Sequence, residues 1–204
     1  MTENRKVRSI YCEAVGSKMN GETVTVAGWV HRRRDHGGVI FVDLRDTSGL
    51  LQLVFNPEDM DLFQQAEKIR NEFVISVTGI VRDRPEGTVN SDMPTGAIEI
   101  LASDMSVLNR SLTPPFHHDE NANEDTRLKY RYLDLRRSEM ADKLKIRHSI
   151  IRSLRNFLDQ KQFIEIETPI LTKATPEGAR DYLVPSRTQK GDFFALPQSP
   201  QLFK

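Results

Sequence analysis

Alternating apolar and polar residues mark the first half of this 204-residue chain. Such alternation is typical of strands with one face towards a core and one towards solvent. An Asp-Thr-Ser-Gly turn at 46–49 separates two of the runs. The pattern predicts five strands, at Thr23–Val30, Val39–Arg45, Leu50–Phe55, Phe73–Val81 and Ala97–Leu101.

Helical spacing appears once within this strand-rich region. Leu62, Phe63, Ala66 and Ile69 fall on one face of a short amphipathic helix predicted over Met60–Asn71. Five short strands with a helix between the third and fourth is the element order of an OB-fold barrel. A small sandwich is the structural alternative, and the position of the helix favours the barrel.

The second half of the chain has a different texture. A polar segment at 111–126, stiffened by Pro114-Pro115, indicates a hinge. Apolar residues at helical spacing then predict a long helix over Glu139–Gln162. Phe163–Thr168 favours a strand, which Pro169 would end because proline has no N–H for a ladder. Two further strands and the opening of a helix follow.

Charge is balanced overall, with 29 Lys+Arg against 29 Asp+Glu. Its distribution is uneven, because Arg127–Arg155 and Arg32–Arg34 are both rich in basic residues. Such patches create a local positive potential that suits a polyanion, although a solvated charged face is the commoner reason for a charge run.

The single cysteine, Cys12, excludes an internal disulfide and a cysteine-based zinc site. A small buried apolar residue is the ordinary role for such a thiol. The first residues lead into no signal-peptide core, and no run has the length of a membrane span. We therefore expect a cytoplasmic protein.

Short strings in the second half resemble a known family. A long helix followed by a strand that ends in a fixed proline resembles motif 1 of the class II aminoacyl-tRNA synthetases. TPEGARDYLVPSR followed by LPQSPQLFK is similar to the bacterial aspartyl members. The resemblance implies an α+β multidomain protein: an OB-fold anticodon-binding domain at 1–110, a hinge at 111–126, and the beginning of a class II catalytic domain at 127–204.

The same resemblance assigns anticodon contacts to the barrel. Phe41 would stack on an anticodon base, which is the kind of contact that splayed loop bases allow. Arg34 and Gln52 would hydrogen-bond base edges, and Glu99 would accept from a base amino group. The alternative for Phe41 is a core aromatic, the commoner place for a strand phenylalanine.

Two loop residues bear on which tRNA is accepted. His36, in the Asp-His-Gly-Gly turn, and Gly87, in the Pro-Glu-Gly loop, are similar to the family type that charges both aspartate and asparagine tRNAs. An ordinary solvent-exposed turn histidine is the alternative for His36.

The family also assigns an aspartate pocket and a dimer element. Glu177 would contact the α-ammonium group of the amino acid, and Lys204 would pair with its side-chain carboxylate. Ser199 and Gln201 would line the same pocket, and Pro169 belongs to the motif 1 element that forms homodimers in this family.

The resemblance therefore implies an aspartate–tRNA ligase that uses ATP and Mg²⁺, of which this chain is the N-terminal part. Motifs 2 and 3, with the arginines that clamp ATP, do not occur in it, so we expect no catalytic residue, no metal ligand and no activity of residues 1–204 alone. The alternatives are a stand-alone OB-fold nucleic-acid-binding module, an asparaginyl or lysyl synthetase, and a truncated paralogue retained as a dimer partner.

Overall fold

The computed structural model describes residues 7–117, 122–174 and 181–203, with the backbone alone for Gln201 and Leu202. The chain divides into two compact units, one running to Arg131 and the other beginning at Tyr132.

A closed five-stranded barrel forms the first unit. The strand order around it is β1-β2-β3-β5-β4, and β4 pairs with β1 to close it. All neighbours are antiparallel except β3 and β5. The predicted OB-fold is confirmed, and the sandwich alternative is wrong. The strands are β1 (Thr23–His36), β2 (Val39–Arg45), β3 (Leu50–Phe55), β4 (Val74–Asp83) and β5 (Ile98–Asn109).

Alternate residues of β2 and β4 point into the barrel, whereas five of the six residues of β3 are buried. On β2, the side chains of Ile40, Val42 and Leu44 point inwards and are fully buried. The helix α1 (Met60–Lys68) packs Leu62 and Ala66 against this core, and Asp59 caps it by accepting from the amide of Leu62 at 3.0 Å. Burial of the apolar residues within one closed sheet is the main stabilising contribution to this unit.

Two strands run further than their apolar pattern predicts. β1 continues through the polar residues Arg32–His36, which pair with β2 beyond a bulge between Val30 and Arg32. β5 continues from Leu101 to Asn109 along β4. Backbone pairing with a neighbour extends these strands where the side chains carry no alternation.

The carboxylate of Asp46 joins the start of the chain to the turn between β2 and β3. Its Oδ2 accepts from the amide of Cys12 at 2.8 Å, and its Oδ1 accepts from the amide and hydroxyl of Ser48 and the amide of Gly49. Burial alone would raise the pKa of Asp46, but these hydrogen bonds favour the carboxylate and hold that pKa below its ordinary value. Burial also raises the pKa of the Cys12 thiol, so this cysteine is a neutral core residue.

Helices and one two-stranded sheet follow the barrel. α2 (Glu124–Lys129) closes the first unit, and the second contains α3 (Arg131–Asp134, beginning at the boundary), α4 (Ser138–Gln160), β6 (Tyr182–Pro185) and β7 (Phe193–Leu196). The strands β6 and β7 pair antiparallel, and they correspond to the two further strands predicted from the sequence. Pro200–Phe203 forms a single 3₁₀ turn where the opening of a helix was predicted.

The strand predicted over Phe163–Thr168 is wrong. These residues pair with no strand among the described residues, and Phe163, Ile164 and Ile166 are 66%, 82% and 72% exposed. Strand propensity expresses packing against neighbouring strands, so the segment does not form a strand without a partner.

Replacing Asp46 with Asn should lower the free energy of unfolding by about 1–3 kcal/mol at pH 7, because four donors lose an ionised acceptor. A carboxyl whose pKa is lower in the folded than in the unfolded protein stabilises the fold. This contribution is complete above the ordinary pKa of 3.8 and is lost as the pH falls through the folded pKa. The difference from the parent chain should therefore shrink between pH 5 and pH 2.5. The free energy of unfolding is measured by urea denaturation, with the fluorescence of Trp29, the single tryptophan, as the signal.

The matched control is Asp92→Asn, which removes the same charge from an exposed loop position. The role given to the Asp46 carboxylate would be contradicted if Asp46→Asn lowered the free energy of unfolding equally at both ends of this pH range. It would also be contradicted if Asp46→Asn lowered that free energy no more than the control does.

Candidate nucleic-acid interface

Strand register places the predicted anticodon residues on one outer face of the barrel. Arg34 on β1 lies opposite Phe41 on β2, and Asp43, two residues along β2, lies opposite Gln52 on β3. Directly opposed residues of antiparallel strands share a face, as do residues two apart on one strand. On the far side of β3, Glu99 of β5 lies opposite Arg82 of β4.

A continuous chain of hydrogen bonds crosses this face. Nη2 of Arg34 donates to Oδ1 of Asp43 at 2.6 Å and to Oε1 of Gln52 at 3.3 Å. Nε2 of Gln52 donates to Oε2 of Glu99 at 2.8 Å. Nε of Arg82 donates to Oε1 of Glu99, also at 2.8 Å. All five strands of the barrel thus contribute to one network, which contains three of the four predicted anticodon residues.

The middle of the network is buried although it lies outside the barrel core. Glu99 is 1% exposed, Gln52 6% and Asp43 9%. The loop between β4 and β5 is held against this side of the sheet, where the hydroxyl of Thr95 donates to the carbonyl of Leu50 at 2.5 Å. Buried charges of this kind require partners, and the two carboxylates have them in Arg34 and Arg82.

Arg84 adds a third guanidinium to the same region. Its Nε donates to the carbonyl of Ile98 at 3.1 Å, and the residue is 8% exposed. Burial lowers the pKa of Arg84, while the nearby carboxylates of Glu99 and Asp43 act in the opposite direction. Three arginines therefore face two carboxylates, and the region carries an excess of positive charge.

Two of its buried donors have no acceptor. Among the residues that the structure describes, none accepts from Nε of Arg34 or from Nη2 of Arg84. An unsatisfied buried N–H is costly, and in a native protein such a group calls for an explanation. A ligand that presents acceptor atoms, such as the carbonyl and ring nitrogens of a base, would supply what these donors lack.

Phe41 lies at the edge of this polar network. Its side chain is half-buried, and its ring centroid is 6.1 Å from that of His36 at an interplanar angle of 58°. Because Phe41 points to the outer face, the core alternative for this residue is wrong. An aromatic ring on an open sheet face is the group that OB-folds use to stack bases.

The two residues predicted to discriminate between tRNAs both lie on exposed turns. His36 ends β1 and is followed by Gly37 and Gly38, whose φ angles of 63° and 88° require glycine-like backbone. Gly87, with φ of 84°, lies in the β4–β5 loop, where the amide of Thr88 donates to the carbonyl of Pro85 at 3.0 Å.

Sequence reasoning missed Asp43, Arg82 and Arg84. The available signal was a charge at an outward position of an otherwise apolar strand for Asp43 and Arg82, as in the run VIFVDLR of β2, whereas Arg84 lies in the loop directly after β4. Which charges meet could not be inferred from that signal, because it depends on the register between strands that are distant along the chain.

The predicted aspartate residues belong to the second unit. Glu177 and Lys204 lie outside the described residues, as does the side chain of Gln201, whose backbone forms part of the final 3₁₀ turn. Ser199 directly precedes that turn, and Pro169 lies in the exposed segment after α4. The assignment of an aspartate pocket to these residues stays a prediction.

Two features are absent from the described residues. No helix in 7–117, 122–174 or 181–203 is long and apolar enough to cross a membrane. In the same ranges, no group of three or more His, Cys, Asp and Glu side chains is arranged to hold a metal ion.

Comparison with known proteins matches two families along the chain. Residues 24–108 match the OB-fold nucleic acid binding domain, and residues 123–204 match the class II tRNA synthetases (D, K and N). An Aspartate--tRNA(Asp/Asn) ligase from Legionella pneumophila (strain Corby) is 58% identical over 200 residues, which are 97% of this chain and 34% of that protein. The chain thus spans about a third of the length of the curated relatives it matches.

Solved structures share the fold. The asparaginyl-tRNA synthetase from Pyrococcus horikoshii complexed with asparaginyl-adenylate superposes with a TM-score of 0.79 at 27% identity, covering 95% of this chain and 43% of that one. The aspartyl tRNA synthetase from Entamoeba histolytica superposes with a TM-score of 0.74 at 22% identity, covering 81% and 40%. The chain is therefore a homologue of the Aspartate--tRNA(Asp/Asn) ligases, in which an OB-fold domain precedes a segment that matches the class II tRNA synthetases.

Proposed function

We propose that the chain is part of an aspartate–tRNA ligase and that its barrel reads the anticodon loop of the tRNA. The observation that carries the proposal is the convergence of Arg34, Gln52 and Glu99 in one network beside Phe41. A stacking ring next to directional donors and acceptors suits single-stranded bases, whose faces and edges are both accessible.

The donors without acceptors support this use of the face. Nε of Arg34 and Nη2 of Arg84 are buried and lack acceptors among the described residues, so each would gain a hydrogen bond from a base that displaces the groups covering it. The excess positive charge of the region also favours the approach of a phosphate backbone.

The second unit is proposed to contribute to the aspartate site. The supporting observation is the match of residues 123–204 to the class II tRNA synthetases, which use ATP. In this proposal Glu177, Ser199, Gln201 and Lys204 hold the amino acid, and the ATP and Mg²⁺ ligands lie elsewhere in a longer cytoplasmic enzyme. Residues 1–204 alone would then form no aspartyl-adenylate.

Two rivals are less well supported. A stand-alone OB-fold module does not account for residues 123–204, which match a catalytic family. The Pyrococcus structure is that of an asparaginyl enzyme, but its sequence is 27% identical to this chain, whereas the aspartate ligase from Legionella is 58% identical. The aspartyl assignment is therefore the one we propose.

A homodimer through α4 is part of the proposal. None of the 23 residues of α4 is buried, although several are large and apolar. Ile146, Leu154 and Phe157 are 60%, 59% and 57% exposed, and the apolar segment that follows the helix is exposed as well. A contiguous apolar surface of this kind marks an interaction site, and a second α4 would cover part of it.

Truncating Phe41 to Ala should weaken binding of the 204-residue chain to an RNA hairpin with the aspartate anticodon by about 1–3 kcal/mol, the usual cost of one lost base stack. Fluorescence anisotropy at fixed salt measures the dissociation constant. Leu108→Ala is the matched control, since it removes an exposed apolar side chain at the opposite end of β5 from Glu99. Equal affinities for the parent chain and Phe41→Ala would exclude the stacking role.

His36 and Gly87, on their exposed turns, predict relaxed tRNA recognition, in which one enzyme charges both the aspartate and the asparagine tRNA. The enzyme that contains this chain should aspartylate both aspartate and asparagine tRNAs with initial rates within about tenfold, or ~1.4 kcal/mol, because relaxed recognition includes no strong contact to a base that differs between the two. Initial rates on the two purified tRNAs decide this point. A preference of several hundred-fold for the aspartate tRNA would contradict the relaxed assignment without affecting the anticodon role of the barrel.

Introducing a charge on the apolar face of α4 should disrupt the dimer. Leu154→Glu should shift the purified chain from dimer to monomer in sedimentation-velocity experiments, because a buried unpaired carboxylate is strongly unfavourable. Ser153→Glu is the control, since it adds the same charge at the neighbouring exposed position. The dimer proposal is wrong if the parent chain is monomeric at 100 μM or if both variants dissociate alike.

A further inference from the structure

The side-chain amide of Gln52 is held between an arginine and a carboxylate. Its Oε1 accepts from Nη2 of Arg34 at 3.3 Å, and its Nε2 donates to Oε2 of Glu99 at 2.8 Å. An arginine has no acceptor and an ionised carboxylate has no donor. A reversed amide would therefore place donor against donor at one end and acceptor against acceptor at the other, and one orientation is strongly favoured.

Two further side chains hold the partners of that amide. Oδ1 of Asp43 accepts from Nη2 of Arg34 at 2.6 Å, a distance typical of a charge-assisted hydrogen bond. At the other end, Nε and Nη2 of Arg82 both lie 2.8 Å from Oε1 of Glu99. Asp43 and Arg82 therefore stand at opposite ends of one chain of hydrogen bonds that has Gln52 at its centre.

We propose that Asp43 and Arg82 are positioning residues for base recognition. By fixing Arg34 and Glu99, they hold the amide of Gln52 in one orientation. Its remaining N–H donor and its remaining Oε1 lone pair therefore keep fixed positions relative to an incoming base edge. Arg34 keeps the hydrogens of Nη1 for a ligand. A base edge with acceptor and donor in the matching order fits this arrangement, and one with the reversed order does not.

The inference rests on the proposed anticodon role of the barrel and adds the source of its selectivity. Asp43 and Arg82 act through their neighbours, and neither has to touch the RNA. A lost phosphate contact would weaken binding to all sequences alike, whereas loss of positioning would weaken discrimination between bases. This difference separates positioning from a general effect on stability or charge.

The test uses the 204-residue chain and fluorescein-labelled RNA hairpins at fixed salt. One hairpin carries the aspartate anticodon, and three others each replace one anticodon base. The variants are Asp43→Asn, Arg82→Gln and the double variant, with Asp83→Asn as the matched control. Asp83 neighbours Arg82 on β4 but accepts instead from Asn20, at 2.8 Å. Circular dichroism and Trp29 fluorescence establish that each variant is folded.

The measured quantity is the mismatch-to-match ratio of dissociation constants at the base that the parent chain discriminates most strongly. We expect this ratio to fall about tenfold, or ~1.4 kcal/mol, in Asp43→Asn and in Arg82→Gln, and to stay unchanged in Asp83→Asn. The double variant should lose no more than either single variant, because interrupting the chain at one end already frees the Gln52 amide.

A folded Asp43→Asn variant that keeps the parent ratio would overturn the positioning role while leaving the anticodon proposal intact. Should Arg82→Gln fail to fold, Asp43→Asn alone decides the question, because it keeps the shape of the side chain. A parent chain that binds all four hairpins equally, or none, would overturn the anticodon role, and the positioning role with it.

Discussion

The outer face of the barrel depends on the buried carboxylate of Glu99. It is 1% exposed, and it joins three strands by accepting from Arg82 on β4 and Gln52 on β3 while lying on β5. A buried carboxylate destabilises a fold unless its partners are well placed. The same requirement makes the surrounding side chains rigid, and rigid donors and acceptors are what selective recognition of a base requires.

Much of the barrel could be predicted from the sequence because its core residues follow simple patterns. The bounds of β2 follow from alternation, since Ile40, Val42 and Leu44 alternate with outward residues, and those of β3 follow from a short apolar run bounded by a turn. The polar end of β1 and the second half of β5 could not be predicted, because backbone pairing alone extends them. Of the site, Arg34, Gln52 and Glu99 were found through resemblance, whereas Asp43 became visible only once the register was known.

The second unit was harder to predict, for a different physical reason. Phe163–Thr168 has the composition of a strand, but no described strand lies beside it. None of the residues of α4 is buried either. The chain spans about a third of the length of the curated relatives it matches, and a second copy of α4 is the cover that we propose for the apolar face of this helix.

The most direct test of the account compares the affinity of the 204-residue chain for two RNA hairpins. One carries the aspartate anticodon and the other carries the same three bases in reversed order, so that charge, length and composition are equal. The account predicts tighter binding to the aspartate anticodon by at least tenfold, because its hydrogen-bonding groups are fixed in one orientation. Equal affinity for the two hairpins would contradict it.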